Sequence, residues 1–170
     1  LNQTFGDFTF LIIDDASTDE SRDIVQSYAD PRIELHVLPS NVGQTAALNV
    51  GLKRITSPWV ARMDADDFSA PTRLEEQMRA VERDPQLTCL GTFAWTFRKN
   101  PEEQETILER PLSEKDIRQE LLQKPPIIHG SLLVRREALL EAGGYNERYR
   151  YAADFELYDR LLVGPNRAAN

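Results

Sequence analysis

The sequence predicts an α/β fold in which helices cover both faces of a mostly parallel sheet. Apolar, β-branched runs alternate with helix-like patterns from residue 8 to residue 97, in the order β-α-β-α-β-α-β. The first and third runs are apolar almost throughout, as parallel strands buried on both faces require. Both runs end in carboxylates, at the position where open α/β sheets bind ligands.

The local pattern of each segment supports this assignment. Residues 8–13 and 32–38 are strands, because apolar side chains dominate the first and alternate with polar ones in the second. Ser17 to Glu20 matches a capping box and predicts a helix start, and Asp30-Pro31 ends that helix. The other expected elements are a helix over 44–54, a strand from Trp59, a helix after Ser69 and Pro71, a strand over 87–97, a surface loop over 100–110, a helix over 113–123, a strand over 127–134, a helix over 136–142 with Gly143 as its C-cap, and a last helix opened by Asp154.

Composition limits the classes of protein to consider. The 170 residues are 41% hydrophobic and 28% charged, which suits a single domain spanning residues 1–170. The net charge of −8 argues against a nucleic-acid polymer or an anionic membrane surface as the main partner. The single Cys89 excludes an internal disulfide and fits a reducing compartment. We therefore expect a cytoplasmic location, with peripheral association at the inner face of the membrane left open.

Three carboxylates follow the strand that begins at Trp59, namely Asp64, Asp66 and Asp67. Because strand side chains alternate, Asp64 and Asp66 can point the same way and repel each other unless a cation lies between them. Mg²⁺ or Mn²⁺, with phosphate as co-ligand, is the natural partner of such oxygen ligands. The alternative is a solvated acidic turn. An EF-hand is excluded, because Phe68 occupies a position that needs Asp or Asn.

Two further segments could bind a ligand, and parallel neighbouring strands would bring the first of them to the same sheet edge as Asp64 and Asp66. Asp14 and Asp15 close the first strand, and a carboxylate there can accept from a ribose hydroxyl or a nucleobase N–H. The alternative is that one of them only caps the next helix. Asn41-Val42-Gly43 leads into a helix N-terminus that could receive an anion, although an ordinary cap and turn would look the same.

The second half offers one histidine and one acidic helix start. His129 precedes a predicted strand, and its ordinary interpretation is structural. Asp154-Phe155-Glu156 places carboxylates in the first turn of a helix, where the helix dipole alone favours them. The functional hypothesis is a general base near the metal site.

Taken together, these segments resemble the family 2 glycosyltransferases, which have the Rossmann-like GT-A fold. The segment from Leu11 to Asp19 is similar to the family's aliphatic-Asp-Asp-Gly-Ser-x-Asp pattern, with Ala16 in place of the usual glycine. Asp64-Ala65-Asp66 resembles its Asp-x-Asp motif. The other resemblances follow in the family's order: 3–8 (lead-in to a strand), 41–51 (Asn-x-Gly…Asn-x-Gly helix), 129–136 and 143–145 (second-half strand and turn), and 154–157 (Glu-Asp-x-x-Leu segment, with Ala153 replacing the common Glu).

The resemblance implies transfer of a sugar, with inversion, from a nucleoside-diphosphate sugar such as a UDP-sugar. By the same resemblance Asp15 binds the nucleobase, and Asn41 and Gly43 line the donor site. Asp66 ligates Mn²⁺ or Mg²⁺, while Asp64 contacts the donor sugar or ribose and helps to hold the metal. A divalent ion there would neutralise the charge that grows on the diphosphate leaving group.

The acceptor implied is the hydroxyl of a carbohydrate or a lipid-linked molecule. Asp154 corresponds to the family's catalytic base, and Glu156 is the fallback because Ala153 departs from the family pattern. The family's first strand has no counterpart after Leu1, so we expect a fragment truncated at the N-terminus and also at the C-terminus.

Two other classes of protein share part of this pattern. A phospho-receiver domain also ends its first strand in paired acids and uses a later strand-end Asp as phosphoacceptor. It needs a Lys at the end of a late strand, whereas Lys115 lies in a helical pattern. The second is a non-catalytic relative that binds nucleotide-sugars or carbohydrate without turnover.

Overall fold

The computed structural model describes residues 1–162 and 164–170, and their helices alternate with short strands. The strands are β1 (Phe10–Asp14), β2 (Ile33–Val37), β3 (Trp59–Ala61), β4 (Leu87–Leu90), β5 (Ala94–Phe97), β6 (Gln104–Leu108), β7 (Leu133–Arg135) and β8 (Arg167–Ala169). The helices are α1 (Ser21–Ser27), α2 (Gln44–Arg54), α3 (Arg73–Arg83), α4 (Glu114–Glu120), α5 (Arg136–Glu141) and α6 (Ala153–Leu162), with a 3₁₀-helix at His129–Ser131. In this described part of the chain, no helix combines the length and the apolar character needed to cross a membrane.

The strands form three separate sheets. β1 pairs with β2 in parallel, with Phe10 opposite Ile33. The central sheet has the order β3-β7-β4-β8, and β7 runs antiparallel to both β3 and β4, while β8 is parallel to β4. Strands β3 and β4 therefore share one direction, as predicted. Strand β8, which was not predicted, runs the same way, and β7 makes the sheet mixed. Among the described residues β1 and β3 each have one partner strand, so a further strand beside β1 stays a prediction.

Apolar side chains pack on both faces of the central sheet, because neighbouring residues of a strand point to opposite sides. On one face, Cys89 and Val134 join a core shared with helices α2, α4, α5 and α6. On the other, Leu90 and Leu133 pack with Val81 of α3. Both faces are therefore covered, as the sequence predicts for an α/β fold.

The capping box predicted at Ser17 is wrong. Helix α1 begins at Ser21, and its N-cap residue Glu20 makes no capping bond through its side chain. The backbone N–H of Ser17 instead donates to the Asp14 carboxylate, 3.2 Å away. Asp14 thus organises a turn before the helix, and the Ser17 hydroxyl is three residues too early to cap it.

Two other expectations are corrected in the middle of the chain. The strand expected over 87–97 is two strands, and the loop expected over 100–110 contains β6, which pairs antiparallel with β5. This hairpin lies on the surface, so it lacks the buried apolar face that identifies a strand in a sequence. The strand expected over 127–134 begins as a 3₁₀-helix, and only 133–135 join the sheet.

Asn49 of α2 anchors the turn that follows α5. Gly143 and Gly144 adopt positive φ and close a Schellman motif, with the Gly144 N–H donating to Leu139 O at 2.8 Å. Asn49 Oδ1 accepts from the Tyr145 N–H and its Nδ2 donates to the Tyr145 carbonyl, both at 2.8 Å. A Cβ at Gly144 would lie 2.7 Å from Asn49 Oδ1, so this close approach needs glycine. Gly143 is thus the predicted C-terminal glycine of α5.

Candidate active site at the strand ends

Asp15 and the loop at 41–43 lie together at the end of β1. The Asp15 carboxylate accepts from the backbone N–H of Val42 at 2.7 Å and of Gly43 at 2.9 Å. Asn41 Nδ2 donates to the Asp15 carbonyl at 3.2 Å. Gly43 has φ +87° and immediately precedes α2, so the glycine permits the turn into the helix. The three predicted donor-site residues of this edge therefore form one cluster.

Asp14 has a structural role. Its side chain is buried, and its carboxylate pairs with Arg22 at 2.7 Å. Hydrogen bonds from Ser17 and the guanidinium of Arg22 hold the pKa of Asp14 below its usual value, against the opposing effect of desolvation. One interaction closes the turn before α1 and the other reaches Arg22 within α1, so Asp14 stabilises local structure without capping the helix itself.

The acidic turn, defined as Asp64 to Asp67, follows β3. Asp64 forms a two-pronged ion pair with Arg62, whose side chain is only 8% exposed. Gln44, the first residue of α2, brings its Nε2 to 3.5 Å from Asp64 Oδ1. On the opposite side Gly130 lies so close to the Asp67 carboxylate that any side chain at this position would collide with it. The turn is therefore held between α2 and the 3₁₀-helix.

The charge balance of this turn suits a divalent cation held jointly with phosphate. Partial burial and the neighbouring carboxylates of Asp64 and Asp66 raise the pKa of Asp67, while Arg62 and Arg73 oppose this rise. In the described residues no three His, Cys, Asp or Glu side chains already surround one point. Mg²⁺, however, is commonly bound by one or two carboxylates and completed by substrate phosphates. The donor set therefore fits such an ion.

Asp154 lies at the start of α6, beside a buried polar cluster that we call the His129 cluster (Arg62, His129, Tyr145 and Tyr158). His129 Nε2 and Tyr145 Oη are 2.9 Å apart. Burial, and secondarily the positive charge of Arg62, lowers the pKa of His129 to about 4, while Asp154 acts in the opposite direction. Burial raises the pKa of Tyr145 to about 12, and Asp154 contributes to this rise. The Asp154 carboxylate is thus near the same cluster that borders the acidic turn.

Glu156 faces a different part of the surface. Its carboxylate pairs with Arg160 at 2.6 Å and accepts from Asn146 Nδ2 at 3.3 Å. The hydrogen bond from Arg160 holds its pKa below the usual value. An open cleft of about 710 Å³ lies there, beside Asn49 and Gly144. This cleft contains Glu156 but none of the other predicted site residues, so it is separate from the strand-end site.

An aromatic surface borders the acidic turn on the side of the β5–β6 hairpin. Phe68, at the end of the turn, is 70% exposed and packs edge-on against Phe97, with ring centroids 5.6 Å apart. Trp95 lies two residues before Phe97 on the same strand and is 51% exposed. This surface was not predicted, because the hairpin itself was not.

The structure brings the predicted residues into one neighbourhood at the strand ends, and adds members that sequence reasoning missed. Arg62 was missed, although a charged residue just inside an apolar run is a recognisable signal. Tyr158 was also missed; it is fully buried, and its hydroxyl has no hydrogen-bond partner in the part of the chain described. Burial raises its pKa well above the ordinary value.

Comparisons with known proteins identify the family of the chain. The chain matches the sequence model described as "Glycosyl transferase family 2" over residues 1–143. It is 31% identical over 170 residues to the amylovoran biosynthesis glycosyltransferase AmsE of Erwinia amylovora, covering 99% of this chain and 63% of that protein. The phospho-receiver hypothesis is therefore wrong, and Lys115 lies in α4 and not at a strand end.

Solved structures show the same fold. The crystal structure of S. aureus TarS 1–349 in complex with UDP superposes with a TM-score of 0.77 at 18% identity, covering 99% of this chain and 50% of that one. The mannosyltransferase PcManGT from Pyrobaculum calidifontis, solved with GDP-Man and Mn²⁺, gives 0.72 at 22% identity, covering 99% and 47%. The chain thus spans less than two thirds of each of these proteins. Its fold is the α/β fold of the GT-A type, and the chain belongs to glycosyltransferase family 2.

Proposed function

We propose that the protein containing this chain transfers a sugar from a nucleoside-diphosphate sugar, with UDP as the preferred nucleotide, to a hydroxyl of a carbohydrate or lipid-linked acceptor, with inversion. The observation that carries the proposal is the position of the His129 cluster: its Arg62 pairs with Asp64 of the acidic turn, and its His129 and Tyr145 lie within electrostatic reach of Asp154. One relative, AmsE, is a glycosyltransferase of amylovoran biosynthesis, which supports a polysaccharide acceptor. We propose a cytoplasmic location, including peripheral contact with the inner membrane face.

On the donor side we assign the nucleobase to Asp15 and the adjoining loop of Asn41 and Gly43. Asp15 already accepts two backbone N–H groups, yet a carboxylate has about four acceptor positions, so it retains capacity for a base N–H. Asp66 and Asp64 would hold Mn²⁺ or Mg²⁺ together with the diphosphate. When bound, the ion would supply positive charge to the departing diphosphate.

On the acceptor side Asp154 would take the proton from the attacking hydroxyl. An inverting displacement needs the base on the side opposite the leaving group, and Asp154 comes from a different element than the acidic turn. Glu156 is less suited, because its carboxylate is engaged by Arg160 and Asn146. The exposed rings of Phe68 and Trp95 would border the acceptor's approach.

Calorimetry with UDP and Mn²⁺ tests the donor half of this proposal. In Asp66→Ala we expect metal-dependent UDP binding to be lost while the free energy of unfolding stays within about 0.5 kcal/mol of the wild type, as for exposed positions. Asp23→Ala, at another exposed aspartate, is the matched control and should bind as the wild type does. Unchanged affinity in Asp66→Ala would remove the metal role of this residue. A thermal-shift screen of nucleotide-sugars with Mn²⁺ would identify the donor.

A further inference from the structure

Arg62 is a buried cation at the boundary of the proposed donor site. Its side chain is 8% exposed, although it follows directly on a three-residue strand that ends at Ala61. Its backbone is fixed from two sides: the Arg62 N–H donates to Leu132 O, and its carbonyl accepts from Arg73 Nη2, both at 2.8 Å. A buried guanidinium is costly to desolvate unless it is paired, so its position requires a partner of opposite charge.

That partner is Asp64 alone among the acidic-turn carboxylates. Both terminal nitrogens of Arg62 donate to the two oxygens of Asp64, while Arg62 Nε is buried without a hydrogen-bond partner among the described residues. The Asp64 side chain is 33% exposed, so the pair consists of an inaccessible cation and an accessible anion. A fork-to-fork pair of this kind fixes the plane of the carboxylate as well as its position.

We propose that Arg62 is a positioning residue, which holds the Asp64 carboxylate in the orientation needed for the nucleotide-sugar and for its share of the cation, and leaves the exposed Asp66 as the main ligand of that cation. The proposal rests on the proposed function. It assigns different tasks to two carboxylates that the sequence alone presents as equivalent. Arg62 acts through Asp64, since both of its terminal nitrogens already bind Asp64 and its side chain is buried away from solvent.

A double-mutant cycle in the full-length protein tests this directly. The affinity for UDP in the presence of saturating Mn²⁺ is measured by calorimetry for the wild type, Arg62→Gln, Asp64→Asn and the double variant. Loss of Arg62 is expected to weaken binding by at least about 10-fold, the usual effect of removing a group that orients a ligand residue. The double variant should bind no more weakly than Asp64→Asn alone, because Arg62 has nothing left to position.

Several outcomes would overturn the proposal. Wild-type affinity in Arg62→Gln would do so, as would losses that multiply in the double variant, since Arg62 would then contact the ligand independently of Asp64. Arg62→Lys keeps the charge but not the fork, so it should recover only part of the affinity; full recovery would show that the charge alone suffices and would argue against positioning by the fork. If Arg62→Gln does not fold, Arg62→Lys takes its place in the cycle.

A matched control separates positioning from general destabilisation. Arg22 pairs with Asp14 at the end of the neighbouring strand, so Arg22→Gln removes a similar ion pair outside the acidic turn. It should leave UDP affinity unchanged, and an equal loss in this control would overturn the proposal. If the wild type itself binds no nucleotide with Mn²⁺, the proposed function fails. The coupling of Arg62 and Asp64 is then read from the free energy of unfolding, where zero coupling refutes the pairing.

Discussion

Replacing Asn49 by alanine should destabilise the protein strongly, although the residue lies on a helix surface and is only half buried. The side chain satisfies both the N–H and the carbonyl of Tyr145, a residue that is 6% exposed, and its Nδ2 also donates to Glu147 Oε1 at 2.8 Å. Leaving two buried backbone groups without partners gives a loss of about 3 kcal/mol in the free energy of unfolding. For a chain of this length that corresponds to a fall in melting temperature of about 6–12 °C.

Urea unfolding is the appropriate assay, since a pure stability effect moves the midpoint and leaves the slope unchanged. Asn49→Asp sharpens the test. The aspartate can still accept from Tyr145 N–H, but its second oxygen would face the Tyr145 carbonyl and the Glu147 carboxylate, so we expect a loss at least as large as for alanine at pH 7. Asn100→Ala, at an exposed asparagine with one local bond, is the control. A loss below about 1 kcal/mol in Asn49→Ala would refute the reasoning, because it would be no more than one ordinary hydrogen bond.

Three further predictions follow from the site and its surroundings. Asp154→Asn in the full-length enzyme should slow sugar transfer by about 10²-fold or more while UDP binding is kept, with Glu156→Gln as the comparison; near-normal turnover would exclude Asp154 as the base. His129 stays neutral in the folded protein down to pH about 4, whereas the unfolded chain takes up its proton near 6.5. The free energy of unfolding should therefore be fully present above pH 6.5 and fall by up to about 1.4 kcal/mol per pH unit between pH 6.5 and about 4. His129→Gln should flatten the dependence of the urea midpoint on pH over this range, and an unchanged dependence would contradict a buried, neutral His129. Ala16 has φ +59°, a left-handed conformation that strains a residue with a Cβ, so Ala16→Gly should raise the free energy of unfolding by about 0.5–1 kcal/mol. A lower melting temperature in this variant would contradict the strain at Ala16.

The sequence was most informative where local signals and tertiary packing agree. Helix α2 was predicted with its observed bounds, because Gly43 and a run of small residues mark it unambiguously. A common donor site for Asp15 and Gly43 was implied by the family resemblance, and in the structure the Gly43 N–H donates to the Asp15 carboxylate.

It was least informative where a neighbouring element decides the outcome. The capping box failed because Asp14 binds the Ser17 N–H, and the β5–β6 hairpin was missed because its outer strand is polar and exposed. Arg62 is buried because it pairs with Asp64, and the hydrophobic pattern of the sequence does not indicate such a pair. The residue types and their order in the sequence therefore predicted where the site lies, whereas the ion pairs within the site became visible only in the structure.

The separation of the β1–β2 sheet from the central sheet has a mechanical consequence. Asp15 belongs to the first sheet and the acidic turn to the second, and no strand ladder joins the two within the described residues. Helix α2 connects them instead, with Gly51 against Ile13 and Leu52 in the main core. Contacts between side chains deform more readily than a ladder of backbone hydrogen bonds, so the distance between Asp15 and the acidic turn can change. A ligand that contacts both Asp15 and the acidic turn would fix this distance. Binding at one of the two places would then lower the entropic cost of binding at the other.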